Sequence, residues 1–113
     1  MRTLVVGDIH GGYKTLVQVL GRAKFDNAND RLIVLGDVCD GWDDTKRAID
    51  ELLKVKNLVF VIGNHDLWAL DWMEDEDHNT DNMLWINQGG SMTLKSYQYR
   101  DHWDVPAAHA DFL

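Results

Sequence analysis

The sequence contains one cysteine, Cys39, and one proline, Pro106. A lone thiol cannot make an internal disulfide, so the core must hold the fold, and the usage fits a reducing compartment. Long hydrophobic runs are missing as well. The longest uninterrupted apolar stretch is Leu58 to Ile62, far short of the ~20 residues that cross a bilayer. Met1-Arg2-Thr3 leads straight into a strand-like stretch, with no apolar core of a signal peptide. Basic residues are scarce, eleven Lys and Arg against nineteen Asp and Glu, for a net charge of −8. That field repels phosphate backbones and anionic lipid, which argues against nucleic-acid and membrane partners. The expectation is a soluble, unexported, cytoplasmic protein.

What is present suits one small domain. The 113 residues are 45% hydrophobic and 27% charged, an ordinary globular balance with no room for separate catalytic and regulatory domains. Three apolar, β-branched runs stand out: Leu4-Val5-Val6, Leu32 to Leu35 and Leu58 to Ile62. None alternates polar with apolar, so each is expected to be buried on both faces, as in a parallel sheet. Leu16, Val19, Leu20 and Ala23 recur at helical spacing between the first two runs, and Ala48, Ile49, Leu52 and Leu53 between the second and third. Asp43, Asp44 and Thr45 offer capping oxygens for that second helix. The order reads β-α-β-α-β. A short helix is expected over Leu67 to Met73, a glycine turn at Gly89-Gly90 after Trp85, and a last helix opened by Pro106.

Each strand runs into a glycine turn: Gly7-Asp8-Ile9-His10-Gly11-Gly12, Gly36-Asp37-Val38-Cys39-Asp40-Gly41 and Gly63-Asn64-His65-Asp66. Asp8, Asp37 and Asn64 are separated by 29 and 27 residues, about one βαβ unit. With right-handed crossovers the strands are parallel, and all three turns emerge at one carboxyl edge, where open α/β sheets build their sites. The side chains gathered there offer carboxylate, amide oxygen and imidazole, a donor set suited to Mn²⁺, Fe, Zn²⁺ or Mg²⁺. A carboxylate on the middle strand is placed to bridge two ions about 3.5–4 Å apart, the arrangement used for in-line displacement at phosphorus.

These three segments resemble the N-terminal motifs of the calcineurin-like metallophosphoesterases, in the phosphoprotein-phosphatase branch that includes bacterial and phage serine/threonine phosphatases. Trp85 to Tyr97 and Val105 to Leu113 are similar to the segments that follow those motifs in bacterial members. The resemblance implies an α/β chain forming the N-terminal βαβαβ half of a four-layer α/β/β/α sandwich. Residues 1–113 would be the N-terminal part of a metallophosphoesterase domain, truncated inside a helix, with apolar strand surface left exposed.

It further implies a metal-dependent phosphoesterase that uses two divalent metal ions, Mn²⁺ foremost. Asp8 and His10 would bind the first ion, Asp37 both, and Asn64 the second. His65 would protonate the leaving group, its imidazole held by a hydrogen bond to Asp40, and a metal-bridging water would attack phosphorus directly. Asp66 stands where a glutamate is commoner and receives a supporting role. The implied substrate is a phosphorylated protein or a small phosphoester, with a dinucleoside polyphosphate or nucleotide as the alternative. A non-catalytic metal-binding module is a third reading, since the family's later metal-binding histidines have no counterpart here, and the 113 residues alone are expected to be inactive.

Gly41, followed by Trp42, occupies the place of the family's phosphate-gripping arginine, for which Arg22, Arg31, Arg47 and Arg100 are the substitutes to examine. Cys39 reads as a small buried residue, the run Glu74 to Asp81 as a solvated loop, and Trp68, Trp72, Trp85 and Trp103 as packing residues. Trp42 reads as a rim residue. His78, His102 and His109 are expected at the surface.

Overall fold

The computed structural model describes residues 1–113. Strands β1 (Thr3–Val6), β2 (Arg31–Val34) and β3 (Asn57–Phe60) form a parallel sheet in the order β1-β2-β3. Leu4, Leu32 and Leu58 stand in register, as do Val6, Val34 and Phe60 two residues on. Side chains alternate along a strand, so these two rows share one face. Helices α1 (Tyr13–Arg22) and α2 (Thr45–Leu52) are the crossovers, and their stripes of Leu16, Leu20, Ala48, Ile49 and Leu52 are buried in one core with Leu32 and Val34.

Only that face is covered, which corrects the expectation that the strands are buried on both sides. Val5, Ile33 and Val59 lie in register on the other face, outside the core, with Val5 58% and Val59 42% exposed. The runs fail to alternate because both faces are apolar, yet every helix that buries sheet residues packs on the same one. The bare face matches the exposed strand surface implied by the resemblance.

After β3 the chain enters α3 (Asn64–Glu74), three residues earlier than the apolar spacing suggests. The cause is local: the Gly63 amide donates to Asp66 Oδ2 at 3.0 Å, as in half of a capping box, so the helix starts on the motif itself. Asp75 to Asp81 is an exposed loop apart from half-buried His78. A single turn, α4 (Met83–Trp85), continues through a wide turn at Ile86–Gly90 into α5 (Ser91–Tyr97). The expected glycine turn is therefore a kink between helices, with Gly89 at φ +107°.

A two-residue antiparallel pair, β4 (Gln98–Tyr99) and β5 (His102–Trp103), precedes α6 (Ala107–Phe112), which Pro106 caps. The Trp72 ring sits at the centre of an aromatic cluster, 6.1 Å from Trp85, 5.9 Å from Tyr97 and 5.3 Å from Trp103. No helix is long and apolar enough to cross a membrane.

Candidate metal centre

The parallel register puts the three glycine turns at one edge of the sheet, and hydrogen bonds lace them together. Ile9 and His10 amides donate to the Asp37 carbonyl at 3.2 and 2.9 Å, Gly11 N–H to Val38 O at 2.7 Å, and Trp42 N–H to His10 O at 2.8 Å. These bonds join the first turn to the second. The third is joined by side chains: Asp66 Oδ1 accepts the Val38 and Cys39 amides at 2.8 and 3.0 Å, and Asp37 Oδ1 accepts the His65 amide at 3.1 Å. Asp66 is fully buried, so its supporting role is to brace two turns by taking backbone N–H groups that would otherwise be unpaired.

The backbone is bent sharply where the polar side chains stand. His10, Asp37 and Asp40 have φ of 48°, 51° and 71°, a left-handed conformation that non-glycine residues adopt at a cost and that clusters at functional sites. Gly63 is required by close approach, since a Cβ there would overlap the Asp37 carboxylate.

Ligand atoms of Asp8, His10 and Asp37 all lie within 4.8 Å of one another. The Nδ1 of His10 is 3.1 Å from the Cys39 carbonyl, which fixes it as the N–H side of the ring and leaves Nε2 free, 3.7 Å from Asp8 Oδ2. Three donors of oxygen and imidazole type, one pre-oriented by a carbonyl, fit a divalent cation. Asn64 is the exposed first residue of α3, at the same edge and next to His65.

The His65 ring stands edge-on to His10 with centroids 5.2 Å apart, and edge-on to Trp68 at 5.4 Å. Its Nδ1 is 2.8 Å from Asp40 Oδ2. Asp40 is fully buried and also accepts from Trp85 Nε1 at 2.7 Å and from the Thr93 hydroxyl at 2.6 Å. Burial pushes its carboxyl above the usual carboxylate range, and the donors from Thr93, His65 and Trp85 oppose that rise. Burial likewise raises the Cys39 thiol well above its ordinary value, consistent with an inert buried residue.

The structure brings Asp8, His10, Asp37, Asp40 and His65 together, and it corrects one expectation about histidines. His109 is buried, not exposed: Nδ1 is 2.6 Å from the Tyr97 hydroxyl and Nε2 is 2.6 Å from Asp50 Oδ1, because α6 folds back onto α2 and α5. Exposed His102 conforms, and half-buried His78 engages the Trp72 carbonyl at 3.0 Å. Trp85 and Thr93 were missed as neighbours of the site. The glycine pair between them was the available signal.

No arginine replaces the missing one. Arg47 lies over the Tyr13 ring at 4.1 Å and faces Asp44 at 3.6 Å, Arg100 lies over Tyr99 at 5.2 Å, Arg22 ends α1, and Arg31 opens β2 at the opposite edge of the sheet. Gly41 has φ +109°, and a Cβ there would meet His10 Cβ at 3.0 Å, so a longer side chain is disfavoured in this arrangement.

A family profile described as calcineurin-like phosphoesterase matches residues 1–111. Serine/threonine-protein phosphatase 2 of Salmonella typhimurium is 37% identical over 98 residues, covering 83% of this chain and 43% of that protein. The symmetrical bis(5'-nucleosyl)-tetraphosphatase of Coxiella burnetii is 32% identical over 68 residues, covering 60% and 23%. A crystal structure of a candidate diadenosine tetraphosphatase superposes with a TM-score of 0.60 at 26% identity, covering 76% of this chain and 41% of that one. The chain thus spans less than half the length of each of these relatives.

Proposed function

This chain belongs to the calcineurin-like phosphoesterase family, and from that premise we propose that the whole protein is a metal-dependent hydrolase of phosphoric monoesters, most naturally a serine/threonine-type protein phosphatase. The observation that carries this is the convergence of Asp8, His10 and Asp37 within 4.8 Å, with His65 set against His10. Asp8 and His10 would hold one divalent cation, Asp37 both, and Asn64 the second, with Mn²⁺ the first choice and Fe, Zn²⁺ or Mg²⁺ compatible with the donors. When bound, such ions supply Lewis-acid charge for a phosphoryl oxygen and an activated water at neutral pH.

The chain's own residues supply the rest. His65 keeps Nδ1–H on Asp40 and offers its other nitrogen, Nε2, to protonate the departing oxygen. Asp40 holds the ring's orientation, and Asp66 holds the turns on which Asp37 and His65 stand. Residues 1–113 act in this reading as the N-terminal part of a metallophosphoesterase domain, working in the cytoplasm, and on their own turn over little or no substrate.

A second substrate class, a dinucleoside polyphosphate, is favoured by one observation. Trp42, 71% exposed, walls a cleft of about 340 Å³ between the first turn of α1 and Asp43-Asp44, next to the turn that carries His10. An exposed indole there offers a stacking surface to a nucleobase where the family's arginine is absent.

The test is hydrolysis of p-nitrophenyl phosphate by the full-length protein with Mn²⁺. The wild type is expected to be active and Asp37→Asn to lose at least ~100-fold in kcat/KM, about 2.7 kcal/mol of transition-state stabilisation. Unchanged turnover in Asp37→Asn contradicts the reading. Competition between a phosphopeptide and diadenosine tetraphosphate assigns the substrate class.

A further inference from the structure

A carboxylate taken out of water needs hydrogen-bond donors on both oxygens. The Asp40 side chain is 1% exposed, and its donors come from two places in the chain. Oδ2 faces His65 Nδ1 at 2.8 Å and Trp85 Nε1 at 2.7 Å, while Oδ1 accepts the Thr93 hydroxyl at 2.6 Å. The same Thr93 oxygen accepts the Asp40 amide at 2.8 Å and lies 3.3 Å from the Thr45 hydroxyl. One threonine therefore grips Asp40 by backbone and side chain together.

The geometry has a mechanical consequence. The terminal torsion of an aspartate is soft, so a carboxylate held by His65 alone is free to turn. A hydroxyl on Oδ1 and an indole on Oδ2 remove that freedom and aim one oxygen at His65. The glycine kink brings both donors to the place. Gly89 needs its left-handed φ of +107° and lies so close that a Cβ would be 3.0 Å from Gly41 N, and Gly90 packs so tightly against the Trp85 ring that a Cβ there would come within 2.6 Å of it.

We propose that Trp85 and Thr93 are positioning residues for the acid step, holding Asp40 so that it holds His65. The inference rests on the reading of His65 as proton donor. Neither residue touches the metal cluster's ligands through any hydrogen bond, and their influence passes through Asp40.

The test uses the full-length protein with Mn²⁺ and two substrates, p-nitrophenyl phosphate, whose leaving group departs with little help, and phenyl phosphate, whose leaving group needs a proton. In Thr93→Val and Trp85→Phe, kcat on phenyl phosphate should fall roughly tenfold or more, as one lost hydrogen bond to a charged group implies, with a much smaller fall on p-nitrophenyl phosphate and KM unchanged. Thr93→Ser should restore the wild-type ratio. In metal-free protein, an exchange-protected His65 Nδ1 proton should be seen by NMR in wild type and Thr93→Ser and be lost to exchange in Thr93→Val.

A purely structural role lowers both substrates equally and leaves the proton unchanged, and that result overturns the proposal. His65→Asn and Asp40→Asn separate the two levels. If they show the leaving-group effect and the Thr93 and Trp85 variants do not, the positioning role fails and the phosphoesterase reading stands. If wild type hydrolyses neither substrate, that reading fails and this one falls with it. Should Trp85→Phe not fold, the Thr93 pair decides alone.

Discussion

Asp66 spends both carboxylate oxygens on backbone amides, those of Val38, Cys39 and Gly63, and is fully buried while doing so. An amide side chain at this position would turn a donor toward donors. Asp66→Asn should therefore cost at least about 1.5–3 kcal/mol, the range for hydrogen bonds to a charged group, and weaken Mn²⁺ binding as the second and third turns part. Urea unfolding and calorimetric titration check this, and an unchanged unfolding midpoint would contradict it. At this scale the sequence was legible where chemistry and topology coincide. Asp8, His10 and Asp37 follow strands of equal type at βαβ spacing, so their meeting follows from parallel order. The pairing of Trp85 and Thr93 with Asp40 was not legible, because it spans 45 and 53 residues and is set by how a kinked helical segment packs.

Among the elements, the three strands and two crossover helices appear where apolar periodicity places them, and the departures have local causes. Helix α3 starts at Asn64 because Gly63 and Asp66 cap it, a signal carried by the motif itself and not by the apolar spacing that places the helix at Leu67. The burial of His109 was hidden because a six-residue helix carries too little pattern to reveal which face docks. At the start of β1, Asp30 accepts the Asp26 amide at 3.0 Å and the Arg2 amide and guanidinium at 3.1 Å each, tying strand to loop. The Asp26 amide foremost, and Arg2 with it, hold the Asp30 carboxyl below the usual range. A carboxyl whose pKa is lower folded than unfolded adds stability above its unfolded value and loses it as pH falls through the folded one. Asp30→Asn should accordingly flatten the loss of stability below about pH 4, measured as urea midpoints against pH, and a slope equal to wild type would refute the assignment.

For the whole molecule, the main feature is an α/β layer with one finished face. Val5, Leu35, Val59 and Val61 are exposed in a chain whose net charge is −8. Contiguous apolar surface of this kind promotes association of the 113 residues on their own. Val5→Lys combined with Val59→Lys should keep that chain monodisperse by light scattering at concentrations where the parent associates, and equal association in both would show that the sheet face is not responsible. The apolar runs made the sheet legible from sequence, whereas which face is covered depends on where the helices pack. The account as a whole depends on the strand-end turns meeting to hold cations. Anomalous diffraction from crystals of the full-length protein grown with Mn²⁺ measures this directly. The account predicts a peak within coordinating distance of Asp8, His10 and Asp37 that disappears in Asp37→Asn, and Mn²⁺ bound elsewhere, or no peak at that edge of the sheet, would contradict it.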